Sequence, residues 1–258
     1  MCALPLLAAQ SAEEILQRNF AAKKANNEKA RQYTSLEEDT RCTYDKSGQS
    51  KQTSSETYEV MFLEGEQYKK LVARSGQPLN TAEQAKEEKK LQEEAKARRK
   101  KRGSGLFTRT FSIGSADDAM LFTHFENRIV GEEEVNGRRA WVIESVPKAD
   151  RKPANDHERD VLSTRQKRWV DQADYNEARW QAVVVGDKSP LKPGTTFTIE
   201  FAKINDDAWL GTFLSIDFRM EMMKFIKGAG RQESRFSKFQ KFDVQSTITV
   251  DAGTAGGK

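Results

Sequence analysis

Two histidines, His124 and His157, and two cysteines, Cys2 and Cys42, are all the soft metal ligands that 258 residues offer. Neither histidine has a cysteine or a second histidine at ligand spacing, so the chain carries no zinc pattern. Two cysteines make no disulfide framework, and the fold must rest on its core. There is no run of about 20 apolar residues, which excludes a transmembrane helix. No nucleophile elbow surrounds a serine, and Gly228-Ala229-Gly230 is too short to cradle a phosphate. With 39 carboxylates, chance pairs are inevitable, and none stands out as a buried acid–base couple. The expectation is a protein without catalytic residues, metal or cofactor, one that binds rather than reacts.

Core-forming material is also scarce. Charged residues make up 32% of the chain, against about 25% in an average globular domain. A sheet with one wet face tolerates that balance, because every second strand residue is free to be polar. So does a domain with solvated, charged insertions. The 43 basic and 39 acidic residues are interspersed, with a net charge of +4. That distribution gives no electrostatic footprint for nucleic acid.

What is present begins with Ala3–Ala9 (ALPLLAA), a short apolar run ending in small residues, then the polar stretch Gln10–Glu14. This is the pattern of the end of a secretory leader, lacking its basic n-region. Residues 1–11 are therefore read as the remnant of a signal peptide whose start lies upstream, and a periplasmic location is expected. Cys2 would leave with the leader, so a Cys2–Cys42 bridge is disfavoured. Ala12–Gln32 suits a helix: Ser11 and Glu14 form a capping box, and Ile15, Leu16 and Phe20 give a narrow apolar stripe near its start. That helix is expected to dock by its first turns only.

The pattern then turns to period two. Strands are expected over Tyr33–Tyr44, Thr57–Leu63, Gln67–Ala73, Asn127–Val135, Arg138–Val146, Thr164–Val170, Asn176–Val185, Thr195–Ile204, Trp209–Phe225 and Glu233–Val250. Glu64-Gly65-Glu66 and Asn136-Gly137 are hairpin signals, and Gly228-Ala229-Gly230 is read as a turn. Asn80–Arg102 is nearly devoid of large apolar residues, with Leu91 alone, and Asn80 and Glu83 suit its cap. It is expected to be a charged helical insertion, 80–102, that projects into solvent because it has nothing to bury. Its basic end, Arg98–Arg102, suits either an anionic surface or a solvated helix terminus, the latter favoured by the helix dipole. Ser115–His124 suits a short helix, Lys148–Arg159 reads as a loop around Pro153, and 251–258 as a flexible Gly-rich tail. About ten antiparallel strands without βαβ alternation point to a mainly β (α+β) fold with a single domain over 12–250.

Three stretches carry a resemblance. These are the N-terminal helix Ala12–Gln32 followed by long strands, the segment Arg168-Trp169-Val170-Asp171-Gln172-Ala173-Asp174-Tyr175 with Arg179-Trp180, and the closing Phe236-Ser237-Lys238-Phe239-Gln240-Lys241-Phe242. Together they resemble the LolA/LolB-type outer-membrane lipoprotein carrier superfamily over most of Ala12–Val250. The resemblance implies a large antiparallel, unclosed β-barrel (a half-barrel) with helices covering the open side and an apolar cavity for acyl chains. It also implies partners: lipids or acylated lipoproteins, with membrane-associated donor and acceptor proteins.

Candidate cavity residues follow from the alternating rows: Tyr58, Val60 and Phe62; Trp141 and Ile143; Trp180 and Val184; Phe197, Ile199 and Phe201; Phe218, Met220 and Met222. Aromatic and Met side chains suit flexible acyl chains. Leu16, Phe20, Met120 and Leu121 are the candidate lid. The competing reading is a non-catalytic cell-envelope structural or protein-interaction module whose rows fill a closed core. Export is checked by sequencing the N-terminus of protein made from the native locus. A processed chain recovered outside the cytoplasm is expected, and a cytoplasmic chain that keeps Met1 contradicts it.

Overall fold

The computed structural model describes residues 10–45, 47–103, 117–186, 191–222 and 226–242, with the backbone alone at 101–103, 117–118, 220–222 and 226–227. The apolar run Ala3–Ala9, Cys2, Ser115 and the tail 251–258 lie outside the described residues. Helix α1 (Ala12–Ala30) starts at the capping box: Ser11 Oγ accepts from the Glu14 amide, and the Glu14 carboxylate accepts from the Ser11 amide. Strands β1 (Tyr33–Tyr44), β2 (Ser50–Leu63), β3 (Glu66–Arg74) and β4 (Gln77–Pro78) precede α2 (Thr81–Gly103) and α3 (Asp117–His124). Then follow β5 (Phe125–Val135), β6 (Arg138–Pro147), α4 (Asp156–Leu162), β7 (Thr164–Asp171), β8 (Glu177–Val184), β9 (Thr196–Ile204), β10 (Ala208–Met222) and β11 (Ile226–Lys241).

All eleven strands form one antiparallel sheet in the order β4-β3-β2-β1-β11-β10-β9-β8-β7-β6-β5, open between β4 and β5. Tight turns set the registers. Glu64 and Gly65 (φ 54° and 84°) and Asn136 and Gly137 (φ 52° and 75°) are left-handed pairs, which match the strand twist of two-residue hairpins. The registers place all five expected rows on the same face. Trp180 lies opposite Ile199, Ile199 opposite Leu214, and Ile143 opposite Arg168, itself opposite Trp180. This inner face carries α1, whose Ala12, Ile15 and Leu16 pack with Ile143 and Val170 into one buried cluster.

Four expectations are corrected. Gly228-Ala229-Gly230 is not a turn but part of β11, which pairs with β10 as far as Met222–Ile226. Glycine is needed at 230 for close approach: a Cβ there would stand 2.4 Å from the Cys42 carbonyl oxygen and 2.9 Å from Phe218 Cζ. Lys148–Arg159 is not wholly loop, because Asn155 caps α4, its side chain accepting from the Glu158 amide at 2.9 Å. The Asn155…Glu158 spacing was the available signal, masked by Pro153. The C-terminal half of α1 also docks: Asn26 Oδ1 accepts from the Trp209 amide and Asn26 Nδ2 donates to its carbonyl, both at 2.7 Å.

The fourth correction is α2, which does not project. The capping box expected at Asn80 and Glu83 is present, but the helix lies along β3, on the face opposite α1. Leu91 and Ala95 are buried. Arg98 donates to the carbonyls of Leu63 and Glu66 at 3.1 and 2.9 Å and covers the Tyr68 ring. Arg99 pairs with Glu64 at 2.6 Å. A thin apolar stripe suffices because cations at the helix end satisfy turn carbonyls. Leu91→Ala should cost about 2 kcal/mol and lower the thermal midpoint by roughly 4–8 °C, as scanning calorimetry would read. An unchanged midpoint would mean that the helix contributes nothing to the body.

Candidate functional site

The β7–β8 turn fixes the geometry of the inner face. Asp171, 1% exposed, accepts from Arg138 Nε and Nη2 at 2.7 and 2.8 Å and from the amides of Ala173 and Asp174 at 2.9 and 3.0 Å. Asp174 takes the Trp209 indole N–H at 3.0 Å and pairs with Lys203 at 3.3 Å. Burial pushes the Asp174 carboxyl up, but hydrogen bonds from Trp209, Asn176 and Lys203 outweigh it and hold the group below its ordinary value. Tyr175 sits at φ 59°, a costly conformation for a bulky residue. It is held there by α1: its carbonyl accepts from Asn19 at 2.8 Å, its hydroxyl from Arg18 at 2.8 Å, and its ring packs on Trp141.

These contacts seat α1 across the inner face and leave two hollows beside it. One, about 400 Å³, lies between the second half of α1 and strands β1, β2, β9 and β10; Val60, Phe62, Phe201, Trp209, Leu210 and Phe239 are its apolar lining. The other, about 360 Å³, lies under α4 and is lined by Val161, Trp180, Ala182, Phe197, Ile199 and Ile216. Each falls at the small end of the range of ligand pockets. Their covers differ in length and seating: α1 has 19 residues and is seated by the buried Ile15 and Leu16 of its first turns, whereas α4 has seven residues and buries none. Among the described residues no three of His, Cys, Asp and Glu gather to hold a metal ion, and no helix is long and apolar enough to cross a membrane.

The candidate residues therefore divide. Val60, Phe62 and Phe201 line the α1 hollow, and Trp180, Phe197 and Ile199 the α4 hollow. Ile143 is buried beneath α1, and half-buried Trp141 packs against the same cluster. Val184 is 1% exposed and lines neither hollow. Phe218 lies across Gly230. Tyr58 donates to Glu56 at 2.6 Å, and burial together with that carboxylate pushes its hydroxyl up to about 12. The side chains of Met220 and Met222 lie outside the described residues. Of the lid candidates, Leu16 and Leu121 are buried and Phe20 packs edge-on against Phe122 at 5.5 Å. Together with half-buried Met120 they lie on α1 and α3. Helix α4 buries none of its residues.

Polar groups punctuate the inner face. On β7 and β8 a ladder runs from Thr164 through Gln166 and Arg168 to Glu177. Gln166 donates to Thr164 at 3.3 Å, Arg168 donates to Gln166 Oε1 at 3.0 Å, and the Arg168–Glu177 ion pair closes at 3.1 Å. Arg168 and Glu177 are both buried, at 4% and 6% side-chain exposure. On β1, buried Glu37 pairs with Lys69 at 2.6 Å, and buried Asp39 accepts from Gln232 at 3.2 Å. Burial pushes the Asp39 carboxyl above its ordinary value; Arg41 opposes the shift and Glu37 adds to it.

No family model matches the chain, and no curated protein does. Solved structures similar to it include a domain named for outer membrane lipoprotein sorting from Vibrio parahaemolyticus, 12% identical, with 91% of this chain and 96% of that one covered and a TM-score of 0.42. A LolA superfamily protein from Nitrosomonas europaea is 10% identical over 92% and 96%, with a TM-score of 0.34. Pseudomonas aeruginosa MucB, solved in complex with MucA, is 12% identical over 90% and 99%, with a TM-score of 0.28.

Asp39 makes the site's pH behaviour testable. Its folded-state pKa is raised, so the stability supplied by the protonated form is fully present below the unfolded value, about 3.9, and lost as pH rises through the folded value. Asp39→Asn keeps the neutral form at every pH. Its thermal midpoint should exceed the parent's at pH 7 and converge with it below about pH 4. A variant less stable than the parent at pH 7 would show that Arg41 and Lys69 outweigh burial.

Proposed function

We propose that this protein is a periplasmic, non-catalytic carrier that holds the acyl chains of lipids or lipid-modified proteins on the inner face of its open sheet. The observation that carries this reading is the α4 hollow. Trp180, Phe197, Ile199 and Ile216 line it, and the seven-residue helix above them buries none of its own residues. Apolar surface left under so light a cover is favourably buried by an apolar ligand. Each methylene contributes about 0.8 kcal/mol, so one chain gives useful affinity without a charged anchor. Such binding depends little on salt. The basic end of α2 is a weaker alternative for lipid capture, because Arg98 and Arg99 are engaged by β2 and β3 and by Glu64. Membrane-associated donor and acceptor proteins are the partners such a carrier requires.

A fatty acid brominated along its chain tests this by contact quenching of tryptophan. Saturable quenching is expected, changing less than twofold between low and high salt. Ile199→Asp should abolish the part that Trp180→Phe also removes, while circular dichroism shows the sheet intact, because the charge enters a hollow. If the parent binds no chain and Ile199→Asp unfolds, the face is a closed core and the protein an envelope interaction module.

A further inference from the structure

The two hollows are neighbours. Along β9 they alternate, Ile199 lining one and Phe201 the other, two residues or about 7 Å apart on the same face. Their volumes, about 400 and 360 Å³, are nearly equal. What separates them is charged. Arg168 lines neither hollow, yet it holds one lining side chain from each: Gln166 of the α4 hollow at 3.0 Å and Glu177 of the α1 hollow at 3.1 Å. Lys23 of α1 extends the partition beyond Glu177, at 3.7 Å.

We propose that the hollows are a pair of acyl-chain sites divided by the Thr164–Gln166–Arg168–Glu177 ladder, and that the cargo is a lipid moiety with two chains, one on each side of Arg168. This rests on the carrier reading. A single chain long enough to use both hollows would lie across a buried ion pair and desolvate it further, which is costly. A two-chain lipid places its polar junction there instead. Arg168 Nε is buried and lies 3.1 Å from the Glu177 carboxylate, so the ion pair acts as a polar divider that an acyl chain does not cross. Arg168 is thus a positioning group for the junction, and the chains carry the affinity.

The experiment counts chains. Two variants fill one hollow each. Gly211→Trp grows into the α1 hollow, where a Cβ meets nothing within 4 Å. Ala182→Trp fills the α4 hollow, and Val161→Trp fills it from the helix side should the buried site not tolerate the change. Circular dichroism first establishes that each folds. Calorimetry is then run with a saturated fatty acid and, separately, with a diacylglycerol-based phospholipid of the same chain length. The parent should take two fatty acids but one diacyl lipid per protein. Each filled variant should take one fatty acid and bind the diacyl lipid at least tenfold more weakly. Arg168→Leu should leave two fatty acids bound and weaken the diacyl lipid alone. One fatty acid per parent protein, or a filled variant that binds as the parent does, overturns the two-chain assignment while the carrier reading stands. A parent that binds neither ligand brings down the carrier reading, and the assignment with it.

Discussion

The Asp171 carboxylate, locked by two hydrogen bonds from Arg138 and two from the backbone of its own turn, is the contact on which the inner face depends. It ties the β5–β6 hairpin to the β7–β8 hairpin. The turn it shapes presents Asp174 to Trp209 and Lys203 of the β9–β10 hairpin and the Tyr175 carbonyl to α1. Three hairpins and one helix thus meet at five consecutive residues. Losing Arg138, itself a third exposed, would leave the buried Asp171 carboxylate without two of its donors, which costs on the order of 1–3 kcal/mol out of the roughly 5–15 kcal/mol that holds a typical domain together. The sheet stays open because its edges, β4 and β5, do not pair with one another; α1 is fixed across it at this turn and again at Trp209 through Asn26.

The inner face is consequently tied down by many contacts under α1 and lightly covered under α4. Around α1, the polar contacts of Asn19, Asn26 and Tyr175 and the buried Ile15 and Leu16 leave little freedom. Around α4 no residue of the helix is buried, and the chain leaves it through bonds such as Ser163 Oγ to the Asp160 carbonyl and Thr164 Oγ1 to that of Val161. Segments with few buried apolar contacts open at the lowest free energy. A cavity served by such a segment can admit a ligand without disturbing the turn that organises the rest.

The strand rows were legible from sequence because they are local. Alternation assigned Tyr58, Val60, Phe62, Trp180, Phe197, Ile199 and Phe201 to one face, and the registers place them together. Glu64-Gly65 and Asn136-Gly137 announced their turns through the left-handed backbone they require. The division of those rows into cavity and core was not legible, since it depends on where α1 lands. Trp141 and Ile143 look like Trp180 and Ile199 in pattern, but a helix more than a hundred residues away in sequence covers the first pair and not the second. The docking of α2 escaped for a related reason. Leu91 and Ala95 make a stripe too thin to register, and Arg98 reads as a solvated charge until the β2–β3 carbonyls are in place.

Strand β1 lies between β2, next in sequence, and β11, near the end of the chain; Thr34 and Gln240 meet across 206 positions. The sheet is therefore two meanders, β1–β4 and β5–β11, that are joined by hydrogen bonds between their first and last members. During synthesis the first meander emerges early and waits with a twelve-residue edge bare until β11 has arrived. Long-range strand pairing of this kind is slow to form, and an unpaired edge invites association with other chains in the meantime. The interval between emergence of β1 and arrival of β11 is when this protein is most exposed to aggregation and most in need of a chaperone.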